Sequence, residues 1–328
     1  MMHGPARRLV VATLAAVLVV GLAGCSMPSL FSLTATPSVS EGLSVLSSQK
    51  IASLSTPTLR EEGYLTVGIS TKSTTAPLYI EDASGNISGI DVDIASALAD
   101  ELGLKVKFVS VDDADSAAAN TVDIVMGASS GNLSASELID AYAESAPAFF
   151  TKGSNGIVTA SELANKTVGI QAGSVSESAL NATTLGMSRQ TFSNLNEAFE
   201  ALESGSVDYV LCDAYAGAYL ASSYDDIGFA GTLSAPSSYG IAVSTSNTTL
   251  KQAVEQAFET IENNGIYDGI RTHWVADLPS LTSTQQIVDI PTSSSTTSTT
   301  GTSTAAVDSD SSSSANDGST AGSNAVIL

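Results

Sequence analysis

Cysteine, histidine and basic residues are scarce in this chain of 328 residues. It holds 2 Cys, 2 His and 12 Lys or Arg against 34 Asp or Glu, which leaves a formal net charge of −22. So few thiols and imidazoles exclude a disulfide framework, a Cys-based metal site, a paired-histidine zinc motif and a Ser-His-Asp triad. The negative charge argues against binding to nucleic acid or to anionic lipid surfaces, because both need a basic face.

Aromatic residues are also few, at 5% of the chain, whereas hydrophobic residues make up 43%. The hydrophobic content is enough for a large core, and the length predicts about two domains. The low aromatic content argues against a binding wall built from stacked rings. No cofactor and no metal ion is predicted, and no catalytic group is apparent.

The first 24 residues predict a lipoprotein signal peptide. Arg7 and Arg8 precede an uncharged run from Leu9 to Gly24, which is shorter than the roughly 20 residues of a membrane span. The run ends in Leu22-Ala23-Gly24-Cys25, which resembles the bacterial lipobox and implies acylation of the Cys25 thiol. The alternative is an ordinary signal peptide or signal anchor with a chance cysteine. We expect the mature chain to be anchored outside the cytoplasmic membrane by lipid at Cys25.

Two further segments are predicted to lie outside the fold. Residues 25–58 are rich in Ser, Thr and Pro and read as a tether between lipid and domain. Residues 281–328 are about half Ser or Thr and contain no basic residue, so they predict a disordered tail that cannot bury enough apolar surface to order itself. The folded part is therefore expected at residues 59–280.

Short apolar runs alternate with amphipathic runs across this part, which indicates an α/β fold with mostly parallel sheets. The runs predicted as strands are 65–69, 106–109, 123–127, 167–170 and 208–211. The runs predicted as helices are 90–102, 175–185, 194–204, 247–263 and 265–275. Ile90, Ile94 and Leu98 recur every four residues and mark one buried face of the first helix. Asp91 and Asp93 suit the positive end of its dipole and are interpreted as structural.

Several short motifs follow one another in a fixed order along about 215 positions. They are Leu65-Thr66-Val67-Gly68, Gly89-Ile90-Asp91-Val92-Asp93, Asp123-Ile124-Val125-Met126-Gly127, the segment 163–174, the segment 197–213, and Asn264-Gly265-Ile266-Tyr267 with Trp274. In this order they resemble the family 3 extracellular solute-binding proteins, the receptors that feed polar amino acids to ABC importers. Each motif is weak alone, and the series is specific.

The resemblance implies a two-lobed type II periplasmic-binding fold with two hinge strands. Lobe 1 is expected at 59–148 and 241–280, and lobe 2 at 156–236. The hinges are expected near 149–159 and 236–243. A ligand would lie between the lobes and be buried when they close.

The resemblance also implies ligand-binding residues in lobe 2. Asp213 matches the family's aspartate for the ligand α-amino group, where a charge-assisted hydrogen bond gives affinity and selects the sign of charge. Gly173 and Ser174 precede a predicted helix whose N-terminus suits a carboxylate, with Gln171 at the mouth of the same turn. The alternatives are that Ser174 is a plain N-cap and Asp213 a solvated acid at a strand end. Cys212 is expected in the core.

Lobe 1 departs from the family pattern. Family members place an Arg about a dozen residues after the Asp123 equivalent as a clamp for the ligand carboxylate, but no Lys or Arg occurs between Lys107 and Lys152. Ser129 and Ser130 remain as neutral hydrogen-bonding candidates. Thr75 replaces the usual stacking aromatic. The sequence offers three equal candidates to take its place: Tyr79, Tyr142 and Tyr239.

Because losing one partner of a buried charge pair costs about 2–5 kcal/mol, tight binding of an ordinary L-amino acid is not expected. We expect instead a ligand with a cationic amine and a weaker or displaced acid: a modified amino acid, a small peptide or an amine. The run Asp112-Asp113-Ala114-Asp115 lacks the spacing of a calcium loop and is interpreted as a solvated acidic loop. Tyr267 and Trp274 are expected to pack the C-terminal helix on lobe 1.

These observations favour a monomeric, lipid-anchored receptor that delivers an amino-acid-like or amine-containing small molecule to an ABC permease. The missing Arg favours one alternative, a surface sensory or degenerate binding protein of the same fold without a transport role. An enzyme on this scaffold is the second alternative. It is disfavoured, because it would need a positioned acid–base group and the sequence offers only carboxylates.

Overall fold

The computed structural model describes residues 54–70, 76–153 and 156–292. The predicted signal peptide and Cys25, most of the tether, Thr75 and the tail beyond residue 292 lie outside the described residues. Among the described residues, no helix has the length and apolar character needed to cross a membrane.

The described strands form two five-stranded sheets and a small hairpin. The strands are β1 (Tyr64–Ile69), β2 (Ile80–Glu81), β3 (Ile87–Ser88), β4 (Lys105–Ser110), β5 (Ile124–Ala128), β6 (Ser136–Ser145), β7 (Pro147–Lys152), β8 (Thr167–Gln171), β9 (Ser188–Phe192), β10 (Tyr209–Asp213), β11 (Ile227–Thr232) and β12 (Ser237–Ser244). The first sheet has the order β4-β1-β5-β12-β6 and the second the order β11-β7-β10-β8-β9, while β2 pairs with β3. The predicted α/β class with two lobes is thereby confirmed.

The helices pack against these sheets. They are α1 (Ile90–Glu101), α2 (Ala114–Asn120), α3 (Ala160–Leu163), α4 (Val175–Asn181), α5 (Leu195–Glu203), α6 (Ala214–Ala221), α7 (Thr248–Asn263) and α8 (Ile266–Val275). The predicted apolar face of α1 is buried, with Ile90, Ile94 and Leu98 each fully enclosed. In α7, Leu250, Val254 and Ile261 are buried at helical spacing, and the Asn247 side chain caps the helix at the Leu250 N–H.

The predicted strands correspond to the parallel core of each sheet. β1 lies between β4 and β5 in parallel pairing, and β8 pairs in parallel with β10. Strands β1, β5, β8 and β10 are mostly apolar and buried because both faces of a parallel sheet are covered, whereas the edge strand β4 is partly exposed. The antiparallel strands β6 and β11 and the exposed edge strand β9 were not predicted, whereas β7 and β12 overlap the two predicted hinge strands. The sequence of β6 (SELIDAYAES) has a helix-favouring composition, so it does not predict the long pairing of this strand with β12.

The chain crosses between the sheets twice, and both crossings differ from the predicted hinges. β6 ends at Ser145 in the first sheet and β7 begins at Pro147 in the second, so the first crossing is at Ala146. The return lies between Thr232 and Ser237. The predicted hinges at 149–159 and 236–243 lie too far along the chain, because no local sequence pattern marks the change of sheet.

The predicted tail begins too early. Leu281 and Ile287 are buried at 3% and 1% exposure, and Ile287 packs in the core of the second sheet. The Ile287 N–H donates to the Thr232 carbonyl at 2.9 Å. Residues 281–292 therefore belong to the folded part, since sparse apolar residues among Ser and Thr are enough to hold a segment on an existing core.

Candidate functional site

A cavity of about 660 Å³ opens where the two sheets meet, near both crossings. The first sheet contributes Gly127 and Ser129 at the end of β5, and Ser145 at the end of β6. The second sheet contributes Asp213 at the end of β10. In open α/β sheets, ligands bind outside the carboxyl ends of the strands, and this cavity lies there.

Asp213 is held at the cavity wall by its own helix. Its Oδ1 accepts hydrogen bonds from the Tyr215 N–H at 3.0 Å and the Ala216 N–H at 3.1 Å, so it caps the N-terminus of α6. The carboxyl stays open to solvent through the cavity mouth, although protein atoms surround it on the other sides. This crowding raises the pKa of Asp213, and the two backbone hydrogen bonds oppose the rise. Asp213 therefore both caps α6 and lines the cavity.

Ser145 is a site residue that the sequence did not reveal. Its hydroxyl donates to Asp213 Oδ2, which links the last residue of β6 in the first sheet to the acid of the second. One serine among many carries no sequence signal, and its place beside the crossing emerges only from the fold. Tyr239 on β12 also lines the cavity, and the nearby Asp213 adds to burial in raising the pKa of its phenol.

Every Asp, Glu, Lys, Arg or His side chain among the lining residues is an aspartate. Asp112, Asp113 and Asp115 line the side of the cavity formed by the first sheet, opposite Asp213. The interpretation of this run as a solvated loop is wrong for Asp115, which accepts hydrogen bonds from the Ser136 N–H at 2.7 Å and the Ser134 hydroxyl at 2.6 Å. These bonds hold the pKa of Asp115 well below its usual range. The cavity therefore carries concentrated negative charge.

No metal site accompanies these acids: within the described ranges, no three His, Cys, Asp or Glu side chains are grouped so as to hold a metal ion. The lining also contains no Lys or Arg. The sequence of lobe 1 lacks a cationic clamp, and none of the described lining residues from either lobe supplies one.

The predicted anion site at the N-terminus of α4 is occupied by the protein's own side chains. The Gly173 N–H donates to Glu177 Oε2 at 2.6 Å, and the Ser174 hydroxyl accepts from the Glu177 N–H at 3.0 Å. Gly173, Ser174 and Gln171 do not line the cavity, although Val175 and Ser176 of the same turn do. The sequence Ser174-Val175-Ser176-Glu177 has the spacing of a capping box, which is the signal that favours a cap over a ligand.

The remaining predicted lobe-1 residues are dispersed. Ser129 lines the cavity, whereas the adjacent Ser130 begins a short 3₁₀ turn and does not. Tyr79 lies outside the lining, and its hydroxyl donates to Glu81 Oε2 at 3.1 Å. Thr75 is outside the described residues. Of the candidate aromatics Tyr79, Tyr142 and Tyr239, only Tyr239 lines the cavity.

A buried acid lies directly behind the cavity wall. Asp91 is fully buried, and its Oδ1 accepts from the Tyr142 hydroxyl at 2.6 Å, which in turn accepts from the Gly127 N–H. Asp91 Oδ2 has no hydrogen-bond partner and faces Gly127, where a Cβ would approach it to 3.3 Å. Burial raises the pKa of Asp91 to about 7, and the Tyr142 hydrogen bond limits the rise.

Cys212 and the C-terminal helix are placed as expected. Cys212 is 2% exposed, and burial raises the pKa of its thiol. The Tyr267 hydroxyl donates to the Tyr142 carbonyl at 2.6 Å, and Trp274 Nε1 donates to Asp93 Oδ2 at 2.8 Å, so α8 packs on the first lobe. Trp274 also contacts Tyr219 of α6 with ring centroids 6.0 Å apart, which joins α8 to the second lobe.

Comparison with known proteins identifies the class. The model of the bacterial extracellular solute-binding proteins, family 3, matches residues 65–277, and the chain belongs to this family. Its members are mainly extracytoplasmic binding proteins that deliver small amino-acid ligands to ABC transporters.

Individual proteins are similar to the chain over most of their own length. The L-cystine-binding protein TcyJ of Escherichia coli (strain K12) is 24% identical over 234 residues, which are 66% of this chain and 84% of that protein. A polar amino acid ABC uptake transporter substrate binding protein from Streptococcus thermophilus superposes with a TM-score of 0.60 at 22% identity, over 68% of this chain and 89% of that one. An ancestral cationic amino acid solute binding protein, AncCDT-1, superposes with a TM-score of 0.54 at 26% identity, over 65% and 96%.

Proposed function

We propose that this chain is the lipid-anchored receptor of an ABC importer and captures a small amine-containing or amino-acid-like molecule in the cavity between its lobes. One observation carries the proposal: Asp213, whose Oδ1 caps α6, lines the cavity. A carboxylate in this place binds an ammonium group through a charge-assisted hydrogen bond, which is about twice as strong as a neutral one.

The charge of the lining supports an amine. Asp112, Asp113 and Asp115 face the cavity from the other lobe, and no basic side chain is among the lining residues. The similarity to an ancestral cationic amino acid solute binding protein points in the same direction. The domains proposed for this receptor are those of the sequence analysis, with the crossings moved to Ala146 and 233–236 and the folded part extended to residue 292.

The test is a thermal-shift panel on the purified full chain with proteinogenic amino acids, polyamines, dipeptides and opines. A ligand at 100 times its Kd adds about 2.7 kcal/mol of stability, which raises Tm by several degrees. A shift that is lost in Asp213→Ala, while the variant remains folded, supports the receptor. A flat panel on folded protein contradicts it and favours a degenerate or sensory member of the family.

The anchor at Cys25 is tested in the producing cells. The wild-type chain is expected in the membrane fraction and to incorporate labelled acyl chain, and Cys25→Ala is expected to do neither. Equal labelling of both chains contradicts the proposed lipidation and leaves the binding function untouched.

A further inference from the structure

We infer that the cavity selects ligands with an ammonium group at each end and no carboxylate, which is the chemistry of a diamine. The inference rests on the proposed receptor function and goes beyond it, because amino acids carry a carboxylate that the site must also hold. Three features of the cavity support it: the placement of its acids, the state of the helix N-termini around it, and its apolar lining.

The acids lie on both sides of the cavity. Asp213 lines it from the second lobe, and Asp112 and Asp113 line it from the first. A carboxylate offers about four lone-pair positions, so Asp213 and Asp113 can accept a ligand hydrogen bond in addition to those that cap α6 and α2 and the one that Ser145 donates to Asp213. Two ammonium groups joined by a short chain match acids placed on opposite walls.

Each helix N-terminus around the cavity already carries a carboxylate of the chain. Asp113 accepts from the Ser116 N–H at 2.7 Å at the start of α2, and Asp213 caps α6. At α4 the Gly173 N–H donates to Glu177, and Ser174 is the cap. A ligand carboxylate at any of these three helices would therefore meet a carboxylate of like charge.

Apolar side chains also line the cavity beside the acids and hydroxyls, among them Val111, Val125, Met126 and Leu133. A polymethylene spacer between two ammonium groups buries apolar surface against such residues.

The experiment compares matched pairs of ligands by isothermal titration calorimetry on the full chain. Putrescine and ornithine differ by one carboxylate, as do cadaverine and lysine. The diamine is expected to bind at least ten times more tightly than its carboxylated partner, with affinity that falls as ionic strength rises. Equal or tighter binding of ornithine or lysine overturns the inference and leaves the proposed receptor function standing.

Variants test which residues are responsible for diamine binding. Asp213→Asn is expected to weaken diamine binding at least tenfold, and Asp225→Asn, an exposed aspartate outside the cavity lining, is expected to leave it unchanged. Glu177→Ala removes a carboxylate from the N-terminus of α4, where Val175 and Ser176 line the cavity, and is expected to improve ornithine binding more than putrescine binding. If neither diamine binds but another compound of the thermal-shift panel does, the inference alone fails. If the whole panel is flat on folded protein, the receptor function fails with it.

Discussion

Burial controls the chemistry of Asp91, the acid behind the cavity wall. Its folded pKa lies near 7, against about 4 for an unfolded aspartate, so the folded state binds the extra proton between these values. The free energy of unfolding contributed by this group is therefore greatest below about pH 4 and is lost as pH rises towards 7. Between pH 5 and pH 8 the loss is about 3 kcal/mol.

Asp91→Asn is expected to remove this pH dependence. The amide oxygen can still accept from the Tyr142 hydroxyl, while the group no longer titrates. Urea unfolding at pH 5 and pH 8 measures the difference in each chain, and the variant should lose about 3 kcal/mol less than the wild type. Asp225→Asn, an exposed aspartate, should keep the wild-type difference. An unchanged difference in Asp91→Asn would mean that Asp91 is ionised throughout.

At individual positions, the sequence predicts residue types better than it predicts partners. Asp213 and Ser129 line the cavity, and the lack of a basic clamp is visible in the composition of residues 108–151 alone. The roles of Ser145 and Glu177 depend on which side chain reaches which atom, and this is decided by the fold. For Glu177 the capping-box spacing was nevertheless present in the sequence.

At the scale of elements, hydrogen bonds to Asp115 connect helix α2 to the segment at the start of β6. Asp115 lies in the first turn of α2 and accepts hydrogen bonds from the Ala135 and Ser136 N–H groups, immediately before and at the start of β6. These bonds lower the pKa of Asp115, so their stabilisation is present above about pH 4, the unfolded value, and declines below it.

Asp115→Ala is expected to lower Tm at pH 7, because it leaves these backbone donors and the Ser134 and Ser136 hydroxyls without their acceptor. The difference in Tm from the wild type should narrow as the pH is lowered beneath 4. Scanning calorimetry from pH 3 to pH 7 measures it, with Asp225→Asn as a surface control. A Tm difference that stays constant down to pH 3 would show that these hydrogen bonds do not lower the pKa of Asp115.

Some strands can be predicted from the sequence and others cannot. Buried parallel strands such as β1 and β8 are continuous apolar runs, and the sequence predicts them. β6 has a polar and alanine-rich sequence, and its pairing with β12 joins residues about a hundred positions apart. Tertiary pairing overrides local propensity there, so short-range patterns carry no signal for it.

At the scale of the whole molecule, the lobes were predicted from the order of motifs, and composition or periodicity alone does not reveal them. The places where the chain changes sheet were predicted a few residues too far along the chain, because only Ala146 separates β6 from β7 and no local pattern marks the change. The lobes meet at the cavity and also at α8, where Trp274 of the C-terminal helix contacts Tyr219 of α6.

This interlobe ring contact predicts energetic coupling between two residues distant in sequence. Trp274→Ala removes the ring contact and the hydrogen bond to Asp93, whereas Tyr219→Ala removes only the ring contact. Because aromatic pairs contribute about 0.5–1.5 kcal/mol beyond their buried area, the double variant should be more stable than the sum of the single losses predicts, by about 1 kcal/mol. Urea unfolding of the four chains measures this cycle. Additive losses would mean that α6 and α8 are apart in solution, and a coupling that changes when ligand is added would mean that the contact moves with lobe closure.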